Sequence, residues 1–178
     1  MTASPENGNQ LFANFVAMKF SENSKVWIYQ STRELSEAET ARIDQILADF
    51  TTGWTAHNNQ LKAGYEIRYN RFLVLIVDET QAGASGCSID KSVNLMKALE
   101  QEFNITLFDR FNIAYRDGEG IKSVGRFEFE ELVKQGKIDA DTIVFNNLVP
   151  ILKDLNEKWE VPFKNSWHQQ VFGSLVTA

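Results

Sequence analysis

The sequence predicts an α/β fold, with α+β as its near neighbour: one mixed sheet of about five strands with flanking helices, in the order βαββαβαβα. Residues 72–77, Phe72-Leu-Val-Leu-Ile-Val, are apolar without a break and run into Asp78-Glu79. That is the pattern of a strand buried on both faces which ends at a wet edge. A short Gly/Ala/Ser loop and then an amphipathic helical segment follow it, and strand-type and helix-type periodicities alternate through the rest of the chain.

Taken in order, Lys25–Gln30 is the first strand, built on Val26, Trp27, Ile28 and Tyr29. Ser36 followed three residues later by Glu39 is a capping box, which satisfies two of the amide groups a helix start leaves bare. Ile43, Ile46, Leu47 and Phe50 then fall on one stripe, so residues 37–50 form a helix. Residues 53–59 read as a loop. Tyr65, Ile67 and Tyr69 alternate with Glu66 and Arg68 in a half-buried strand, joined to 72–77 by a tight turn at Asn70-Arg71 that lacks the usual glycine. Ile89, Val93, Met96, Leu99 and Phe103 mark the inward stripe of the second helix.

Phe111, Ile113 and Tyr115 make a fourth strand, closed by the turn Asp117-Gly-Glu-Gly120. Residues 126–135 carry both periods: Phe127 and Phe129 have strand spacing, while Leu132, Val133 and the stop at Gly136 favour a helix. Thr142–Phe145 is a fifth strand. Asn147 caps a last helix with Leu148, Leu152, Leu155 and Trp159 inward and Pro150 in its first turn. Residues after Pro162 read as an irregular tail anchored by Phe163, Trp167 and Phe172. Residues 1–24 read as a flexible leader and 25–178 as one globular domain, long enough for a sizeable core.

Composition narrows the function classes. The net charge of −6 and the pI near 5.0 argue against nucleic-acid and membrane-surface partners, which call for a basic face. One cysteine excludes an internal disulfide, and two histidines exclude most histidine-based metal sites; no metal or cofactor is expected. The longest apolar run is six residues, against about 18 for a membrane span. The expected location is the cytoplasm, and self-association into a homo-oligomer is compatible with the chain.

The stretch 78–90 holds the site candidates. Gly83, Ser85, Gly86 and Ser88 offer amides and hydroxyls where a helix starts, a cradle suited to a small anionic ligand. With Ser88 as the helix cap, Cys87 lies directly before the helix, where the dipole favours a thiolate nucleophile. The plainer readings are a strand-to-helix connection and a small buried hydrophobe. Asp78, Glu79 and Asp90 can converge as metal ligands or acid–base groups, against the plainer role of Asp90 in complementing the helix dipole. His57 and His168 are the only imidazoles, and either can serve Cys87 as a base if the fold brings it near; a structural or solvent-facing histidine is the commoner case.

Trp27-Ile-Tyr-Gln-Ser-Thr-Arg-Glu34, Phe72–Val93 and Ser166-Trp167-His168 together resemble a family of small uncharacterised bacterial proteins, known mainly from Bacteroidetes and often labelled "ABC transporter ATPase". The resemblance spans Lys25 to Phe172, and Ala84-Ser-Gly-Cys-Ser-Ile-Asp90 is its most specific part. Members of the family tend to carry a glycine after the loop histidine, where this chain has Asn58. No activity is attached to the family, so the resemblance implies no catalytic residues. The label itself conflicts with the chemistry: Val77-Asp78-Glu79 imitates a Walker B strand, but no Gly-Lys-[Ser/Thr] phosphate loop exists to hold a nucleotide.

Three function classes follow: a binder of a small anion at 83–88, which ranks first; a hydrolase or transferase with Cys87 as nucleophile; and an interaction module docking through its acidic surface and Phe/Trp-rich tail.

Overall fold

The computed structural model describes residues 20–176. Helices and antiparallel sheets are combined, as an α/β or α+β chain requires. Among the described residues the chain divides into two compact units: residues 20–107 with 150–153, and residues 108–149 with 154–176.

The first unit is built on a three-stranded antiparallel sheet in the order β1-β5-β4, with β1 at Lys25–Gln30, β4 at Lys62–Arg68 and β5 at Phe72–Asp78. The expected single mixed sheet is thus corrected, for a simple reason. β4 and β5 are joined by a turn of three residues, too short for a parallel crossover, and such strands pair antiparallel. In that turn Tyr69 and Asn70, rather than Asn70 and Arg71, take the left-handed conformation, with φ of 54° and 47°. β5 is central, and Phe72 through Val77 have no exposed surface. Its odd-numbered residues Leu73, Leu75 and Val77 face the cluster that includes Ile43, Leu47, Trp54, Met96 and Leu99.

Helix α1, Glu37–Gly53, has the expected capping box at Ser36 and Glu39 and buries Ile43 and Leu47. After it, residues that read as a loop form a small hairpin, β2 (Thr55–Ala56) and β3 (Asn59–Gln60), turned by His57 and Asn58 at φ of 49° and 63°. Helix α2 spans Gly86–Phe103, and its inward stripe is Ser88, Ser92, Met96 and Leu99; Ile89 and Val93 are only half-buried. Within the stretch expected as a leader, Phe20 and Ser24 are buried; residues 1–19 of it lie outside the described residues.

The second unit carries a four-stranded antiparallel sheet, β7-β6-β8-β9. β6 (Asn112–Asp117) and β7 (Gly120–Gly125) form a hairpin whose turn uses Gly118 at φ +61°, so the expected turn at 117–120 leads into a strand that the sequence reading did not see. Helix α3, Arg126–Lys134, resolves the two-period segment in favour of the helix and buries Phe129 and Val133. β8 is Ile143–Phe145 and β9 is Glu160–Pro162. Phe129 sits among Tyr115, Phe163 and Phe172 at ring distances of 6.2, 6.3 and 5.1 Å.

The expected helix from Asn147 is shortened to α4, Leu152–Glu157. Proline holds its predecessor in extended backbone, and the Pro150 carbonyl accepts from Val26 N–H at 3.1 Å while Ile151 bridges to Lys25. Leu148, expected inward, is 71% exposed. The tail is more regular than expected: a 3₁₀ turn at Phe163–Asn165 and a short helix α5, Trp167–Phe172, capped by Ser166.

Candidate functional site

The loop after β5 is closed by its own groups. Ser85, not Ser88, is the N-cap of α2: Ser85 Oγ accepts from Ser88 N–H at 3.3 Å, and Ser88 Oγ accepts from Ser85 N–H at 2.8 Å. Ser88 is fully buried, with its carbonyl accepting the indole N–H of Trp54 at 2.9 Å. Cys87 therefore lies inside the first turn, at the second helical position, where its side chain is exposed. The sequence placed the cap three residues late because both serines suit that role, and only the reciprocal pair of bonds distinguishes them.

Glu79 occupies the place expected for a bound anion. Its Oε1 accepts from Ala84 N–H at 2.9 Å, and its Oε2 pairs with Lys25 at 2.8 Å. Burial raises its pKa, but the Lys25 ammonium and the Ala84 amide outweigh that and hold it below the ordinary carboxylate value. Asp78 is 2% exposed and wholly engaged: Lys62 donates at 2.7 Å, Thr80 N–H at 3.1 Å and Ser21 N–H at 3.3 Å. The Lys62 bond foremost, with those amides, keeps its carboxyl far below the usual range. Asp90, by contrast, is exposed, as are Gly83 and Gly86. Among the described residues, Asp78, Glu79 and Asp90 do not gather into a group that could hold a metal ion.

Within the first unit, His57 makes no hydrogen bond to Cys87 among the described residues. His57 is exposed at the tip of the β2–β3 hairpin. His168 belongs to the other unit and is 1% exposed, stacked on Trp167 at 3.8 Å and tilted against Phe129 at 5.9 Å. Ser166 Oγ donates its proton to the Phe163 carbonyl at 2.9 Å, so the 3.1 Å contact with His168 Nδ1 is donated by the imidazole. Burial pushes the His168 pKa down to about 4, which keeps the ring neutral at pH 7.

A larger feature lies elsewhere in the first unit: a groove of about 880 Å³ between α1 and β4, within the range of small-molecule sites. One stripe of α1, from Glu37 through Asp44 to Thr52, forms one wall, and residues 60–68 line the other without interruption. Tyr65 OH donates to Asp44 Oδ1 at 2.9 Å. Burial, and then the Asp44 carboxylate beside it, raise the Tyr65 pKa to about 12. Thr40 Oγ1 reaches Asn70 Oδ1 at 3.5 Å.

Glu66 also lines the groove, its side chain on the face of β4 opposite Tyr65. It is 5% exposed, and its Oε2 pairs with Arg68 Nε at 2.5 Å, while among the described residues the buried Oε1 has no hydrogen-bond partner. A buried carboxylate oxygen left without a donor is costly and calls for an explanation. The sequence reading put Glu66 on the solvent face of a half-buried strand. Its burial reflects a sheet covered on both faces, and nothing in the local alternation signals that.

Compared with known proteins, the chain matches no family model, no curated protein and no solved structure.

Proposed function

We propose that this protein is a binding protein whose site is the groove between α1 and β4. The observation that carries this reading is the groove itself, about 880 Å³ between α1 and β4, whose lining includes Glu66, a buried carboxylate with one oxygen unbonded among the described residues. The neighbouring Tyr65–Asp44 pair gives the same groove a second polar anchor, and Ala41, Ala48 and Leu61 supply apolar wall.

The anion-binding reading of residues 83–88 has less support, since the amides of Ala84, Ser85 and Ser88 are taken by Glu79 and by the capping box. A catalytic role for Cys87 has less support, because His57 makes no hydrogen bond to it among the described residues and His168 is sealed in the core of the other unit. The resemblance to the Bacteroidetes family attaches no activity to either site. We place the protein in the cytoplasm, where its one free thiol suits a reducing compartment. Its acid surplus favours ligands and partners other than nucleic acid.

A fragment screen followed by amide chemical shifts tests the reading. Perturbations are expected at residues 37–52 and 60–68, and Ala41→Trp, which fills the groove from an exposed position, removes them. Perturbations confined to 83–90 overturn it in favour of the loop.

A further inference from the structure

The groove meets β4 at its backbone as well as at its side chains. A site lying on one face of a strand is lined by alternate residues; here all nine residues from 60 to 68 line it. β4 is hydrogen-bonded to β5 on one side, and among the described residues no backbone hydrogen bond leaves residues 62–67 on the other. Outward N–H and C=O groups of an edge strand therefore face the groove over about 24 Å of extended chain.

The charges around this edge are unequal. Lys62 is held by Asp78 and Arg68 by Glu66, so neither offers a bare charge. On the acidic side, Glu37 and Asp44 line the helix wall, and among the described residues no cation is bonded to them and Glu66 keeps one oxygen unused. A strand laid beside β4 brings its own residues to within about 5 Å of those opposite, close enough for a donor to reach Glu66 Oε1.

We propose that the groove receives an extended, Lys- or Arg-bearing peptide segment of a partner protein, added to the sheet as a strand along β4. The inference rests on the groove being the binding site and adds the class of ligand and its mode of binding. Main-chain pairing supplies affinity, and the acidic wall with Glu66 selects basic side chains. The chain's net charge of −6 draws such a partner from a distance.

Fluorescence anisotropy with the full chain tests it, using as probes the labelled peptide Ac-TKVKVKT-NH2, its acidic counterpart Ac-TEVEVET-NH2, and the basic peptide N-methylated at alternate backbone nitrogens. The basic peptide is expected to bind, the acidic one to fail, and methylation to weaken binding about tenfold by removing ladder donors. Asp44→Lys, an exposed change, is expected to weaken the basic peptide about tenfold as well. If the methylated peptide binds as well as its parent while amides at 37–52 and 60–68 still shift, strand addition is wrong and the groove survives as a site. If the peptides bind without shifting those amides, or do not bind while fragments do, the peptide proposal fails alone; if fragments also miss the groove, the reading beneath it fails too. A concentration-dependent dimer that protects the β4 amides makes a second copy the occupant and overturns the partner peptide.

Discussion

Asp78 and Cys87 stand near each other in the sequence and have opposite exposure. Asp78 ends β5 as a buried carboxylate held by one ammonium and two amides, so its role is to tie Lys62 and the residues before β1 to the sheet. Asp78→Asn keeps the shape and loses the charge, and a cost of about 2 kcal/mol is expected in urea unfolding. A cost below about 0.5 kcal/mol, the usual range of a surface change, is the result that sinks this role. Cys87 is exposed and bonded to nothing that shapes the loop. Cys87→Ser is therefore expected to leave stability within about 0.5 kcal/mol, and the thiol of the folded protein is expected to be alkylated without denaturant. A thiol protected until unfolding contradicts the exposed position. Glu66 is the residue that sequence reading could not place, since it differs from Arg68 in burial by what covers the sheet and not by its local pattern.

At the scale of elements, the best legible pieces were those whose signal is local. The box at Ser36 and Glu39 starts α1 where expected, and the apolar run 72–77 is the central strand. Helix α2 shows the limit of periodicity. Its buried stripe is half serine: Ser88 and Ser92 spend their hydroxyls on the Ser85 and Ile89 carbonyls and are buried with that polarity satisfied. Trp54 locks that helix start in place through its bond to the Ser88 carbonyl, with Phe50 at 4.9 Å and Trp27 at 6.2 Å around it. Trp54→Phe is expected to cost about 2 kcal/mol, part from the unpaired carbonyl and part from lost volume. Amide exchange should then rise at 85–89 more than at 95–103; uniform exchange along α2 speaks against a local lock.

For the molecule as a whole, acid pH acts on the second unit through His168. His168 is buried neutral, with a pKa lowered from 6.5 to about 4. A lowered folded value means that the folded state binds the proton less well than the unfolded chain. The stability this contributes is complete above pH 6.5 and is lost as pH falls toward 4, about 3 kcal/mol over the window. Unfolding of the wild type and of His168→Gln at pH 7 and pH 4.5 checks the sign: the wild type should lose the more. Equal losses in the two proteins show that other groups drive the acid response.

The sequence by itself determined the pieces that short-range chemistry specifies: the fully apolar strand, the capped first helix, the amphipathic second, and the mixture of helix and sheet. These follow from side-chain period and hydrogen bonds within a few residues. Tertiary structure alone decided the rest. It chose antiparallel pairing over a mixed sheet, split the strands among three sheets, delayed the start of α4 through the pairing of residues 150–151 with β1, and sealed His168 among aromatics. It also buried Glu66 within the edge strand β4, with one oxygen unbonded among the described residues. Partner choice and burial depend on residues far apart in the chain, and that information is not carried by the spacing of any one segment.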